Sequence, residues 1–146
     1  MNTYRELDVY KRSYTLALRI HALSLQLPRE YRFDIADQIR RASRSIPSNI
    51  AEGYARRKSN KDTLNFIKDA LGSNDEMLFN LEFMKDVGLL NQETYHVYQK
   101  EYTICGKQLY NLIQSFEQPA TSNQIPATSR KPGEVKHLST LRKRNQ

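Results

Sequence analysis

The sequence predicts an all-α fold, an antiparallel up-down four-helix bundle in residues 1–118 followed by a disordered basic tail in residues 119–146. Apolar residues recur at intervals of three and four through four segments of the first part, as on one face of a helix. No segment combines the alternation of a strand with turn signals, and 146 residues fit a single domain. The last part holds three prolines and few large apolar residues, so it cannot bury enough surface to fold.

The first helix is expected from about Tyr4 to Leu27, where Pro28 ends it. One apolar stripe, predicted to face the core, consists of Leu7, Tyr10, Tyr14, Ala17, His21 and Leu25. A second stripe on the opposite side consists of Val9, Leu16, Ile20, Leu23 and Leu27. Because a monomeric bundle buries one stripe per helix, we predict that the second stripe forms an oligomer interface together with Phe79 and Phe83 of the third helix.

The second helix is expected to begin after an Asp34 cap. Its apolar stripe consists of Ile35, Ile39, Ala42, Ile46, Ile50 and Gly53. Pro47 falls inside this segment and removes the backbone hydrogen bond to the carbonyl of Ser43. A break with Asn49 as a new cap is one alternative, but the apolar period stays in phase across the proline and favours a continuous, kinked helix.

The third helix is expected to begin after Ser59 or Asn60 and to end at Gly88. Its stripe consists of Leu64, Ile67, Leu71, Asn74, Leu78, Leu81 and Met84. The fourth helix follows an Asn91 cap, and its stripe consists of Tyr95, Tyr98, Tyr102, Cys105, Leu109, Leu112 and Phe116. Such regular intervals are typical of helices that pack at a shallow angle against antiparallel neighbours.

Composition and patterning indicate a soluble protein. The chain is 38% hydrophobic and 27% charged, and no apolar run is long enough to span a bilayer. The N-terminus lacks the apolar region of a secretory signal, and the single cysteine, Cys105, has no partner for an intramolecular disulfide. We therefore expect a cytoplasmic location and no membrane partner.

The titratable residues do not predict a catalytic or metal site. His96 and Cys105 lie nine residues apart, on opposite sides of the fourth helix, and the sequence has no CxxC or HExxH motif. Carboxylates on helix surfaces are usually solvated or paired, which is the interpretation favoured for Glu52, Asp75 and Glu76. We therefore expect no enzymatic activity, no cofactor and no metal.

The net charge of +7 is concentrated in two places. Residues 119–146 carry 6 basic and 1 acidic residues, and residues 29–61 carry 9 basic and 4 acidic residues. Localised basic charge suits RNA or DNA, because each neutralised phosphate releases a counterion. The residues predicted to bind nucleic acid are Arg40, Arg41, Arg44, Arg56, Arg57, Lys58, Arg142, Lys143 and Arg144. The alternative to nucleic-acid binding by the second helix is that its arginines form a solvated face, on which Arg41 pairs with Asp37.

The stretch from Gln38 to Gly53, QIRRASRSIPSNIAEG, resembles the signature of the 23S rRNA intervening-sequence proteins. The opening YRELDVY, the Leu27-Pro28 helix end and the ALGS step of the third helix support the resemblance, which covers residues 4–116. It implies an up-down four-helix bundle that assembles as a ring, typically a pentamer. A related group, the accessory variability determinant of diversity-generating retroelements, forms a basic pentameric barrel that binds nucleic acid and a reverse transcriptase.

Within this signature, Pro47, Asn49, Glu52 and Gly53 are interpreted as residues that fix packing and register at a close helix crossing. The function expected from the sequence is a non-catalytic oligomeric adaptor that binds the nucleic-acid backbone, with a reverse transcriptase as a further partner. The alternative is a structural or protein-interaction bundle, encoded in an rRNA intervening sequence, that does not bind nucleic acid directly.

Overall fold

The computed structural model describes residues 3–56 and 59–118. This part of the chain is all-helical, as predicted, and contains no strand. Its α-helices are α1 (Asp8–Leu25), α2 (Ile35–Ala55), α3 (Asn60–Asp86) and α4 (Gln92–Glu117). Short 3₁₀ turns precede α1 and α2, at Tyr4–Glu6 and Arg29–Tyr31. The expected tail, residues 119–146, lies outside the described residues, and no described helix is long and apolar enough to cross a membrane.

The ends of α3 and α4 follow the predicted signals. Ser59 caps α3, where its hydroxyl accepts a hydrogen bond from the backbone N–H of Asp62 at 3.4 Å. Asn91 caps α4, and its Oδ1 atom accepts from the N–H of Thr94 at 2.7 Å. Gly88 follows α3 with φ of +83°, a left-handed conformation that residues with a Cβ rarely adopt. Gly88 and Asn91 thus separate the two longest helices.

Helix α2 runs without interruption through Pro47, as the phase of its apolar stripe predicts. The helix begins after Asp34, although the carboxylate of this residue makes no capping hydrogen bond. All six residues of the predicted stripe are buried. A continuous buried stripe compensates for the backbone hydrogen bond that proline removes, since burial of apolar surface provides most of the stability of a helix in a folded protein.

The prediction for the two stripes of α1 is wrong for the second stripe and holds for only half of the first, in which Ala17 is buried and Leu7 and Tyr10 pack half-buried against the core. Val9, Leu16 and Ile20, assigned to an oligomer interface, are buried inside the single chain, and Leu23 and Leu27 are half-buried against the same core. The side chains left at the surface instead belong largely to the stripe that was expected inside: Tyr14, His21 and Leu25 are exposed, together with Leu18. Burial of an aliphatic stripe costs less free energy than burial of a stripe that carries tyrosine hydroxyls and an imidazole.

Each helix packs against its neighbours in the chain, and α1 also contacts α4. The side chains between them form one continuous core that includes Ile46, Ile67, Leu81 and Leu109. The exposed apolar residues of the other helices include Phe79, at 65% exposure, and Phe83, at 48%. The interface predicted at these two phenylalanines therefore falls on an accessible surface.

Candidate nucleic-acid interface

The connection between α1 and α2 brings three arginines to one depression. Pro28 follows the end of α1, and the half-buried ring of Tyr31 packs against the core, so the intervening 3₁₀ turn is held against the bundle. Arg29 and Arg32 project from this connection, and Arg40 projects from the second turn of α2. The depression has a volume of about 260 Å³ and is lined by Ser24, Leu25, Leu27, Arg29, Arg32 and Arg40. We call it the arginine pocket.

Hydrogen bonds fix the orientation of the Arg40 guanidinium. Its Nη1 atom donates to Ser24 Oγ at 3.2 Å, and its Nη2 atom donates to the carbonyl oxygen of Arg32 at 3.2 Å. Ser24 is buried and donates in turn to the carbonyl of His21 at 2.6 Å. These bonds connect α1, α2 and their connection, so Arg40 is positioned before any ligand arrives.

The arginines of this region fall into two electrostatic groups. Arg41 pairs with Asp37 at 2.8 Å, and Arg56 pairs with Glu52 at 3.3 Å, each one helical turn away. Within residues 3–56 and 59–118, no ion pair neutralises the three arginines of the pocket or Arg44. The alternative of a solvated, self-paired face thus describes Arg41 and Arg56 but does not describe the pocket.

Phe33 lies beside the pocket with 89% of its surface exposed. The guanidinium carbon of Arg32 lies 6.0 Å from the centre of the Phe33 ring. Exposed aromatic rings next to arginines are a recurrent feature of surfaces on which unpaired bases stack. The chemistry available here is binding of a phosphate by guanidinium groups, with an adjacent face for a planar ring.

Sequence reasoning placed Arg40, Arg41, Arg44 and Arg56 in the binding set but missed Arg29, Arg32 and Phe33. Arg29 is the first residue of the basic segment, which is the one signal that could have included it. Convergence of Arg29 with Arg40 depends on the turn between α1 and α2, and periodicity carries no information about that turn. The other predicted basic residues, Arg57, Lys58, Arg142, Lys143 and Arg144, lie outside the described residues.

The signature residues of α2 lie mainly at its contact with α3. A Cβ atom at Gly53 would lie 3.1 Å from Cβ of Phe66 and 3.3 Å from the carbonyl oxygen of Thr63. The hydroxyl of Thr63 donates to the carbonyl of Gly53 at 3.0 Å. Glycine thus permits a close approach of the two helices that a Cβ atom would crowd.

Asn49 acts within the same contact. Its Nδ2 atom donates to both the carbonyl and the hydroxyl oxygen of Ser45, each at 2.9 Å. The Ser45 hydroxyl in turn lies 2.8 Å from the hydroxyl of Ser73 on α3. Glu52, by contrast, is exposed and pairs with Arg56 rather than with Asn49. Pro47 is buried.

Of the other titratable residues in the described part of the chain, Cys105 is buried in the core. Burial raises the pKa of Cys105 to about 12, so its thiol is protonated at neutral pH. Burial also raises the pKa of Asp75 above its ordinary value. His96 is exposed and shares a hydrogen bond with Gln92. In the part of the chain that the structure describes, no three histidine, cysteine or acidic side chains come together as metal ligands.

Comparisons with known proteins show which family and which solved structure this chain is similar to. The family model described as 23S rRNA-intervening sequence protein matches residues 5–111. A crystal structure of a protein with unknown function from the S23 ribosomal protein family of Bacteroides thetaiotaomicron is similar, with 29% sequence identity and a TM-score of 0.67. The match covers 73% of this chain and 95% of that chain, and no curated protein matches. Because the family model spans well over half of its residues, this chain belongs to the 23S rRNA-intervening sequence protein family.

Proposed function

We propose that this protein is a non-catalytic adaptor that binds nucleic acid through the arginine pocket and the adjoining Arg44 of α2. The observation that carries the proposal is the convergence of Arg29, Arg32 and Arg40 on one depression with no neutralising carboxylate among the described residues. Unpaired cations held close together repel one another, so this arrangement favours an anionic ligand.

Arginine is suited to this role. Its planar guanidinium forms two parallel hydrogen bonds with a phosphate, and it stays charged at any physiological pH. Arg44 extends the unpaired positive surface, since its Nε atom donates only to the backbone carbonyl of Arg40 among the described residues. Binding of this kind depends on phosphates rather than base edges, so it is sensitive to salt and tolerant of sequence.

The proposal includes self-association, with a pentameric ring as the assembly that the family resemblance implies. The exposed phenylalanines Phe79 and Phe83 support it, because large apolar side chains exposed together usually mark an interaction surface. Each added copy would repeat the arginine pocket and so strengthen binding to a long polyanion through avidity. The resemblance to the accessory variability determinant adds a protein partner to this proposal, a reverse transcriptase.

The test is fluorescence anisotropy with a short single-stranded RNA and a DNA of the same sequence, titrated at low and moderate salt. The double variant R29Q/R32Q removes two exposed, unpaired arginines, and we expect it to weaken binding by roughly tenfold or more. The matched control is R41Q/R56Q, which changes the net charge by the same amount but removes arginines that already have carboxylate partners. Loss of binding in both variants alike, or no binding by the unmodified protein, would overturn the proposal.

One observation favours a protein partner as the second candidate. Tyr10, Tyr14, Leu18 and Pro47 line an apolar groove of about 500 Å³ between α1 and α2. If the protein is a protein-interaction bundle without direct nucleic-acid binding, complexes with its partner should survive nuclease treatment. They should also survive charge reversal of Arg40, Arg41 and Arg44 with no change in yield. Loss of the complex after either treatment would contradict this alternative.

A further inference from the structure

We propose that the arginine pocket receives a terminal phosphate, the monoester at the 5′ end of a nucleic-acid strand, and that Phe33 stacks on the first base. This inference rests on the proposed function and narrows it from the phosphate backbone in general to a strand end. It follows from the shape of the pocket, from its charge and from the ring beside it.

The shape of the pocket favours an end over the interior of a strand. Its walls come from the last turn of α1, from the α1–α2 connection and from α2, so the space is bounded on several sides. The nucleic-acid strand continues on both sides of an internal phosphodiester, which therefore needs a groove that is open at both ends. A terminal phosphate has three free oxygens and can enter a bounded depression with the strand leaving from its mouth.

The charge of the pocket matches a monoester better than a diester. A phosphate monoester carries a charge of about −1.5 to −2 at neutral pH, whereas an internal diester carries a single negative charge. Three guanidinium groups line the pocket, and Ser24, Leu25 and Leu27 complete its lining without a carboxylate. Arg40 uses two of its terminal N–H groups on Ser24 and the Arg32 carbonyl, and the guanidinium fork has five N–H donors in all. Donors are thus left for a ligand.

The position of Phe33 favours a nucleotide over other phosphorylated ligands. Its ring is almost fully exposed and follows Arg32 directly in the chain, so a base attached to a phosphate in the pocket has an aromatic face within reach. Inorganic phosphate would gain nothing from this ring. A phosphorylated peptide would use it only if an aromatic or apolar residue followed the phosphate.

The experiment compares two RNAs of identical sequence, labelled at the 3′ end, of which one carries a 5′-phosphate and the other a 5′-hydroxyl. We expect the phosphorylated strand to bind the full-length protein roughly tenfold more tightly. This preference should disappear in R29Q/R32Q and persist in R41Q/R56Q. Phe33→Ala should weaken binding of the phosphorylated RNA without changing the affinity for inorganic phosphate, measured by competition.

The pH dependence provides an independent readout. The second pKa of a phosphate monoester is about 6, so the preference for the phosphorylated strand should shrink as the pH falls through that value. The 5′-hydroxyl strand has no such group, and its binding should change little over the same range. Thermal melts of each variant establish that the fold is intact, which the exposure of Arg29, Arg32 and Phe33 leads us to expect.

The outcomes separate the two proposals. Equal affinity for both RNAs, with binding that is still lost in R29Q/R32Q, would overturn the end-binding inference and leave the proposed function standing. If neither RNA binds to the protein, the proposed function itself is overturned. A phosphorylated peptide that binds as tightly as the phosphorylated RNA, with no effect of Phe33→Ala, would overturn the assignment to a nucleotide.

Discussion

Gly53 illustrates how a single residue sets the distance between two helices. The signature of α2 led us to expect a close crossing here, and a Cβ atom at this position would lie 3.3 Å or less from both Phe66 Cβ and the Thr63 carbonyl oxygen. Neither contact atom lies at the flexible end of a side chain, so neither can move without shifting helix α3. Gly72, in the middle of α3, has no neighbour within 4 Å of the corresponding position.

The two glycines should therefore respond to alanine in opposite directions. Gly53→Ala gains about 1 kcal/mol of helix propensity, but overpacking costs about 1–3 kcal/mol, so we expect a net loss of stability. Gly72→Ala gains helix propensity with no clash and should stabilise the protein by about 0.5–1 kcal/mol. Urea unfolding followed by circular dichroism measures both changes. A stabilised Gly53→Ala variant would show that the helices are not in close contact at this point.

Because the thiol of Cys105 is buried, we expect the protein to lose stability at high pH. Burial is the main cause of its raised pKa of about 12, which the nearby Glu101 also raises and Arg12 partly lowers. The unfolded chain ionises this thiol near its ordinary value of 9.0, whereas the folded chain keeps the proton. Above pH 9 the unfolded state thus binds fewer protons, and the free energy of unfolding must fall as the pH rises towards 12. Below pH 9 this residue contributes no pH dependence.

The measurement is the free energy of unfolding between pH 8 and pH 11, for the unmodified protein and for Cys105→Ala. The variant should be less stable at pH 8, because it leaves a small cavity, but its stability should decline less steeply above pH 9. Burial also raises the pKa of Tyr102, so some decline persists in the variant. Identical slopes for the two proteins would refute the assignment to the Cys105 thiol.

At the scale of elements, the helices themselves were predictable and the orientation of α1 was not. The residues of the predicted stripes of α2, α3 and α4 are all buried or half-buried. Helix α1 has two apolar stripes, and periodicity alone does not say which one faces the core. The chemistry of the side chains does: the buried face carries Val9, Leu16 and Ile20, while the face with Tyr14 and His21 is exposed.

Helix caps can be ranked by their hydrogen bonds. Asn91 accepts from the Thr94 N–H at 2.7 Å, whereas Asp34 occupies the same position before α2 without a capping bond. We expect Asn91→Ala to lower the free energy of unfolding by about 1 kcal/mol and Asp34→Ala to lower it by less than half as much. Chemical denaturation of the two variants side by side tests this order. A larger loss for Asp34→Ala would mean that its side chain caps α2 in solution.

At the scale of the whole molecule, the sequence showed that the protein has excess positive charge and excess apolar surface. It did not show which residues the fold brings together. The total charge and its two concentrations could be counted, and the i, i+4 spacing already offered the Asp37–Arg41 pair. Only the folded chain shows that the three arginines of the pocket converge without an ion pair among the described residues, because this convergence depends on how the α1–α2 connection turns. The exposed phenylalanines of α3 were predictable, because they lie outside its main stripe.

The burial of one stripe of α1 decides which residues can test self-association. Polar substitutions at Leu16 and Ile20 are expected to unfold the single chain, since both side chains are buried. The double variant F79S/F83S alters exposed side chains, so it should keep its helical circular dichroism and shift the mass measured by light scattering towards that of one chain. A monomeric unmodified protein, or a variant of unchanged mass, would contradict the proposed assembly surface.

The most direct test of the central claim is the salt dependence of RNA binding. The logarithm of the binding constant should fall linearly with the logarithm of the salt concentration, with a slope of about −0.7 for each phosphate contacted on a single strand. Because Arg29 and Arg32 line one pocket that holds a single phosphate, R29Q/R32Q should reduce the magnitude of the slope by about 0.7, while R41Q/R56Q leaves it nearly unchanged. Equal slopes for R29Q/R32Q and the unmodified protein would contradict phosphate binding by the arginine pocket.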